Sequence, residues 1–172
     1  MKRIAPILFA CAVPLLAQTT IKDALIKHWK VAADFTSAVA SAMPEESFGF
    51  RPVPEEMSFG QLMVHIAAAD MFACQAASGR AMPTLSPKIA AWAKDQEHTD
   101  IDKATAVPFI ADAFKFCNDL VESMTPETLD KKGKTMTGFE MLWAYFTHTA
   151  HHRGQAEVYL RLKGIKPPEY KF

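Results

Sequence analysis

Apolar residues recur every three or four positions in four long stretches of the chain, which is the period of an α-helix. The stretches cover about residues 20–43, 58–79, 101–124 and 137–163. No stretch alternates apolar and polar residues in the way that predicts a half-buried strand. The pattern therefore predicts an all-α fold, and four long helices in one domain predict a four-helix bundle.

Polar residues and prolines mark where the predicted helices begin and end. Ser58 and Thr137 each stand three residues before a Gln or a Glu, which is the pattern of a capping box at a helix N-terminus. Pro44 ends the first helix. Ser86 followed by Pro87 predicts a short extra helix in the connection between the second and third long helices. The length of this connection leaves open whether the helices follow a simple up-and-down order.

The last predicted helix carries His148, His151 and His152, which are three of the six histidines in the chain. His148 and His152 are four residues apart, so their side chains lie on one helix face about one turn apart. Two imidazoles in this arrangement can share one metal ion. Because His151 is turned by about 100° from His152, we do not expect it to join the same site.

A third ligand is available in the second predicted helix. His65 lies among apolar residues on the face marked by Leu62 and Ile66. A lone histidine in such a position is more often a core residue with a hydrogen-bonded ring, and burial without a partner would cost on the order of a few kcal/mol. A metal ion shared with His148 and His152 would supply that partner. Three histidine ligands leave a coordination position open, as catalytic zinc sites do.

Three polar side chains near the histidines are candidates for supporting roles. Tyr145 falls on the face of His148 and can donate a hydrogen bond to a developing anion. Arg153 can bind a carboxylate, but it points about 100° away from His152 and suits a surface position equally well. Gln155 can orient a histidine ring. Tyr145 and Arg153 are therefore the candidate catalytic residues, although no carboxylate on this face offers a general base.

Composition and charge narrow the function classes. A chain of 172 residues with 49% hydrophobic residues can form one domain with a substantial core. The 19 basic and 19 acidic residues cancel, so the charge does not indicate a nucleic-acid partner. The basic segment 131–134 is compatible with an anion-binding lip, but a solvated turn is the more common explanation for such a segment.

The N-terminus has the layout of a secretory signal peptide. Two basic residues precede an apolar run over residues 4–16, which is too short to span a bilayer as a permanent anchor. We therefore expect a signal peptide over residues 1–17, cleaved after Ala17, and one domain over residues 18–172. That domain would be exported, to the periplasm or outside the cell. Processing as a lipoprotein at Cys11 is the less favoured alternative.

Export affects the expected state of the cysteines. Cys74 and Cys117 would both remain in the mature domain, in an oxidising compartment where disulfides form. Both lie in helical patterns with apolar neighbours, so two separate buried thiols are as compatible with the sequence as a disulfide.

Three segments of the chain resemble the DinB/YfiT-like superfamily of metal-binding four-helix bundles. The first covers residues 50–65, the second is the His-Thr-Ala-His-His-Arg-Gly-Gln sequence of residues 148–155, and the third covers residues 159–168. The resemblance extends over nearly the whole predicted mature chain and implies a single bundle domain. The three metal ligands of the family, all histidines, fall on His65, His148 and His152.

The resemblance also suggests classes of function. Some members of the superfamily resemble transferases or isomerases that use low-molecular-weight thiols, and many have no known reaction. Members are often dimers, so the resemblance suggests a homodimer. For this chain it implies a divalent metal cofactor, with zinc favoured over nickel, iron or manganese for three nitrogen ligands. The predicted function is a metal-dependent enzyme, a hydrolase or a thiol-dependent transferase, that acts on a small molecule or thiol. The predicted export signal departs from cytosolic members and weakens the case for a cytosolic thiol cosubstrate. The alternatives are a non-catalytic metal- or ligand-binding protein of the cell envelope and a bundle whose histidines are structural.

Overall fold

The computed structural model describes the backbone of residues 15–170 and the side chains of residues 21–170. These residues contain helices and one isolated bridge between Lys132 and Thr137, and no strand is present among them. The predicted all-α bundle, with a short extra helix between the second and third long helices, is confirmed. The helices are α1 (Leu15–Ala42), α2 (Phe59–Ser78), α3 (Pro87–Lys94), α4 (Lys103–Ser123), α5 (Pro126–Asp130) and α6 (Gly138–Leu162).

Most of the predicted signal peptide lies outside the described residues. Helix α1 is described from Leu15, which precedes the predicted cleavage point after Ala17. Cleavage and export therefore stay predictions. Within the described part of the chain, no helix is both long and apolar enough to cross a membrane.

Both predicted capping boxes are present. The Ser58 hydroxyl accepts the backbone N–H of Gln61, and the side-chain oxygen of Gln61 accepts the backbone N–H of Ser58. Thr137 and Glu140 form the same reciprocal pair at the start of α6. These bonds satisfy N–H groups that a helix start otherwise leaves without partners. Gly79, whose φ of 73° suits glycine, caps the C-terminal end of α2, which therefore ends where the sequence predicts.

The four long helices do not follow one another around the bundle. Helix α2 packs against α6 and α4, and α1 packs against the same two helices. Helix α1 therefore lies diagonally across the bundle from α2 instead of beside it. This arrangement places α2 and α6 side by side, although they are far apart in the sequence.

The cysteines Cys74 of α2 and Cys117 of α4 form a disulfide with a Cα–Cα distance of 5.6 Å. This distance falls in the usual range for a disulfide. Both residues are fully buried within an apolar cluster that includes Trp29 and Leu142. The structure thus decides between the two states that the sequence leaves open, because it places the two helices in contact at these positions.

Candidate metal centre

Helices α2 and α6 are antiparallel and bring distant histidines together. His65 contacts His148, and Phe72, further along α2, contacts Tyr145, which lies earlier in α6. Residue numbers at the contacts increase along α2 and decrease along α6, so the two helices run in opposite directions. A capping box fixes the first residue of each helix. The direction in which each histidine points from its helix therefore follows from its distance in sequence from that cap.

The rings of His65, His148 and His152 converge on one point. Their centroids lie 5.1 Å apart for His65 and His148, 4.7 Å for His65 and His152, and 4.4 Å for His148 and His152. One nitrogen from each ring lies within 4.8 Å of the others. The Nε2 atoms of His65 and His148 are 3.2 Å apart. Two nitrogens at zinc-binding distance on a tetrahedral ion lie about 3.3 Å apart, so this pair already has the spacing that the ion requires.

The donor set fits a divalent metal ion. Among the described residues, no other His, Cys, Asp or Glu joins the group of three histidines. When two imidazole nitrogens face each other without an ion, one of them must carry a proton, whereas a metal ion accepts a lone pair from each. All three rings are only partly buried, so one side of the group is accessible to solvent or substrate. The structure thus brings together the three predicted ligands in a site that can hold a metal ion.

Gln155 orients one of these three histidines. Its side-chain oxygen lies 2.7 Å from Nδ1 of His152. An amide oxygen can only accept a hydrogen bond, so Nδ1 of His152 carries the proton and Nε2 keeps its lone pair for a metal ion. The orienting role predicted for Gln155 therefore has a direct contact in its support.

Comparison with known proteins places the chain in a family. Residues 28–156 match the family model of the DinB superfamily. The chain belongs to the DinB superfamily. This confirms the resemblance of the three sequence segments and is consistent with a metal-binding role for the three histidines.

Two curated relatives of this DinB-superfamily protein come from Bacillus subtilis strain 168. The chain is 24% identical to the uncharacterized protein YjoA over 148 residues, which cover 81% of this chain and 89% of YjoA. It is 24% identical to the uncharacterized protein YrdA over 155 residues, which cover 85% of each chain.

Two crystal structures of DinB-like proteins have the same fold. YjoA from Bacillus subtilis superposes with a TM-score of 0.65 at 22% identity, over 86% of this chain and 98% of that one. A protein from Bacillus cereus ATCC 10987 superposes with a TM-score of 0.65 at 19% identity, over 87% of this chain and 97% of that one. These similarities confirm the all-α DinB-like bundle.

The surroundings of His65 and His148 favour the neutral form of these histidines, which is the form that binds metal. Burial, followed by the neighbouring His152, lowers the pKa of His65. Burial lowers the pKa of His148 to about 4, and the other histidines of α6 and α2 act in the same direction. Imidazoles with lowered pKa values keep their lone pairs at neutral pH.

We expect bound metal to be released only in acid, with a midpoint below pH 6.5, the usual pKa of histidine. The folded-state pKa values of His65 and His148 are lowered, so protons compete with the metal at a lower pH than they would at exposed histidines. Metal content after dialysis at stepped pH values measures the midpoint, and circular dichroism shows whether the fold persists. Retention that does not vary between pH 7 and pH 3 would contradict histidine ligation.

Tyr145 lies beside the metal centre, as its place on the helix face predicts. Its ring centroid is 5.5 Å from that of His148 and 5.9 Å from that of Phe72. The side chain is partly buried. Its catalytic role stays a prediction, now with a position that suits it.

Arg153 lies on a different side of α6 from the ligands. Its guanidinium carbon is 4.7 Å from the ring centroid of Phe35 in α1, and the residue is only 5% exposed. Its charge also acts on the buried carboxyl group of Asp70. These contacts place Arg153 inside the bundle. Its side chain is turned by about 100° from that of His152 and lies against α1. No contact of Arg153 with the histidine group supports its predicted role in binding a substrate carboxylate.

A buried polar cluster of Asp70, Thr149 and Arg153 between α2 and α6 was not predicted. The carboxylate of Asp70 accepts a hydrogen bond of 2.8 Å from the hydroxyl of Thr149. Burial raises the pKa of Asp70 to about 8, while the Thr149 hydroxyl and the charge of Arg153 act in the opposite direction. Asp70 lies one helical turn from both Ile66 and Cys74, which places it on an apolar stripe of α2. This position is the feature of the sequence that could have predicted its burial. Its burial also means that Asp70 does not serve the histidine site as an exposed base.

Proposed function

We propose that this protein is a metal-dependent enzyme, either a hydrolase or a thiol-dependent transferase, that acts on a small molecule. The observation that carries the proposal is the convergence of three partly exposed histidines, with no fourth protein ligand among the described residues. Structural zinc sites are usually closed by four protein ligands, whereas catalytic sites keep a position open. A divalent ion bound here would act as a Lewis acid towards an oxygen or sulfur atom of a reactant.

The chain's own residues supply orientation and hydrogen bonding around this open position. Gln155 holds His152 in one tautomer through its 2.7 Å hydrogen bond. Tyr145, next to His148, is placed to donate a hydrogen bond to negative charge that develops on a substrate. Phe72 packs against Tyr145 and limits the positions that its ring can adopt. Zinc is the proposed metal because three imidazole nitrogens suit it, with nickel, iron and manganese as alternatives.

A second candidate is a non-catalytic metal- or ligand-binding protein of the cell envelope. The observation in its favour is that no described carboxylate joins the histidine group, so no general base is evident beside the open position. The disulfide between Cys74 and Cys117 supports the exported location that both candidates share, because disulfides persist mainly in oxidising compartments.

Metal-dependent turnover separates the two candidates. Metal-loaded and metal-free protein would be assayed with a panel of carboxylic esters and amides, and with electrophiles in the presence of small thiols. We expect turnover only in the metal-loaded protein. We expect Tyr145→Phe to lower kcat on the order of 10²-fold, because one donor to developing charge is lost. Metal content in this variant should be unchanged.

Tyr170→Phe serves as the matched control, since it removes the same hydroxyl away from the histidine group, near Arg153 and Phe35. We expect it to keep wild-type kcat. Absence of turnover by metal-loaded wild type across both substrate classes would favour the binding protein. Equal losses in the two tyrosine variants would remove Tyr145 from the proposed mechanism.

A further inference from the structure

A cavity of about 690 Å³ lies between the end of α2 and the start of α6. This volume falls in the range of small-molecule sites. One wall is formed by Phe72 and Ala76 of α2 and by Met141 of α6, and the other by the loop of residues 131–136. The loop contains the basic segment 131–134, for which the sequence leaves two explanations open.

Two ring contacts connect the cavity with the histidine group. Phe72, which lines the cavity, contacts Tyr145, and Tyr145 contacts His148. Met141 precedes His148 by seven residues and Gly138 precedes it by ten, which correspond to about 10 and 15 Å along the helix axis. The cavity is therefore the continuation, towards the end of the bundle, of the same interhelical face that carries the histidines.

The outer wall of the cavity is positively charged. Lys131, Lys132 and Lys134 line it, and all three are exposed. None of them forms an ion pair with a carboxylate among the described residues. Lys132 acts on Glu140 and helps to lower its pKa, but that carboxylate is already engaged by the backbone N–H and hydroxyl of Thr137. Three lysines thus line the cavity, and its described lining residues include no Asp or Glu.

The backbone of the loop is held in place. Gly133 donates its N–H to the carbonyl of Met136 at 2.8 Å, and Gly138 donates to the carbonyl of Lys131 at 3.1 Å. Lys132 and Thr137 form the isolated bridge. These bonds fix the backbone from which the lysine side chains extend. Less conformational entropy of the loop is therefore lost when an anion binds.

We propose that this cavity binds the anionic end of the substrate, a carboxylate or phosphate group, while the opposite end reaches the metal centre. The inference rests on the proposed function and names its substrate class: an elongated small molecule with about 10–15 Å between its anionic group and its reacting group. Phe72 and Met141 contact the apolar middle of the molecule. The lysines act as charges on flexible stems, so they select for negative charge more than for one anion geometry.

The first test uses metal-free protein, so that it does not depend on metal chemistry. Hexyl phosphate would be titrated into the protein and followed by amide chemical shifts. We expect saturable shifts in the loop of residues 131–136 and at Phe72, weakened about tenfold in Lys131→Gln/Lys132→Gln/Lys134→Gln. The matched control is Lys27→Gln/Lys94→Gln/Lys166→Gln, which removes the same charge from exposed positions outside the cavity. Equal weakening in both triple variants, or no shifts in the loop of wild type, would overturn the proposal.

The second test connects the cavity with the metal. Cobalt-loaded protein would be titrated with mercaptooctanoate and with mercaptooctanol, which differ only in the charge of the end remote from the thiol. We expect wild type and the control variant to bind mercaptooctanoate about tenfold more tightly, and the loop variant to show no preference. A preference that persists in the loop variant would overturn the proposal. If neither thiol binds the cobalt-loaded protein, the thiol-transferase form of the proposed function fails, and the hexyl phosphate titration alone decides the anion site.

Discussion

Replacing His65 or His148 by alanine is expected to abolish tight metal binding, whereas His151→Ala should keep about one ion per chain. Each triad variant removes one of three ligands that converge within 4.8 Å. His151 is exposed and lies outside the group, although its ring is 4.8 Å from that of His152. Loss of a direct ligand should exceed the roughly 10- to 100-fold loss in affinity that follows removal of an outer hydrogen-bond partner. Gln155→Ala, which removes such a partner, should therefore fall between wild type and the triad variants.

Elemental analysis of protein purified without added metal or affinity resin measures the content, and competition with a chromophoric chelator measures the affinity. His98→Ala is the remote control, because His98 is exposed and contacts Asp95 instead of the triad. Thermal unfolding of each metal-free variant shows whether the fold is kept. Equal loss in the His65, His148 and His151 variants would contradict the ligand assignment. If the wild type contains no metal and takes up none, the histidines are structural residues of the bundle, and the proposed metal-dependent enzyme is excluded.

Removing the disulfide is expected to lower the free energy of unfolding by about 4 kcal/mol, as the loop-entropy relation gives for a closed loop of this length. The cross-link joins residues that are 43 apart in the sequence, so it restricts a long loop in the unfolded chain. It also ties α2, which carries His65, to α4 in the core. The double variant Cys74→Ala/Cys117→Ala and reduced wild type should both unfold roughly 10 °C below oxidised wild type.

Calorimetry or circular dichroism with and without a reductant measures this effect, and thiol titration of the denatured protein counts free cysteines. The double variant is its own control, because a reductant should leave its unfolding temperature unchanged. In the untreated denatured full-length wild type, which also contains Cys11, we expect one free thiol. Three free thiols, together with an unfolding temperature that a reductant does not alter, would show that Cys74 and Cys117 are separate.

The local features of this protein could be read from its residues in order. The spacing of apolar residues predicts the four long helices, and the pairs Ser58–Gln61 and Thr137–Glu140 predict where α2 and α6 begin. Such signals involve residues three or four positions apart, so their geometry follows from the helix itself. The pairing of His148 and His152 has the same origin. The addition of His65 to them came from the family resemblance, because periodicity alone favoured a core histidine.

The remaining features depend on which helix faces meet. Periodicity shows that α1 has an apolar stripe, but it does not say that α1 lies diagonally across from α2. The same limitation applies to the disulfide, to the interior position of Arg153 against Phe35, and to the burial of Asp70 beside Thr149. It applies equally to the cavity that the basic loop forms with α2 and α6. Each of these requires contact between residues far apart in the sequence, and such contacts are chosen by the packing of whole helix faces, which no short segment encodes.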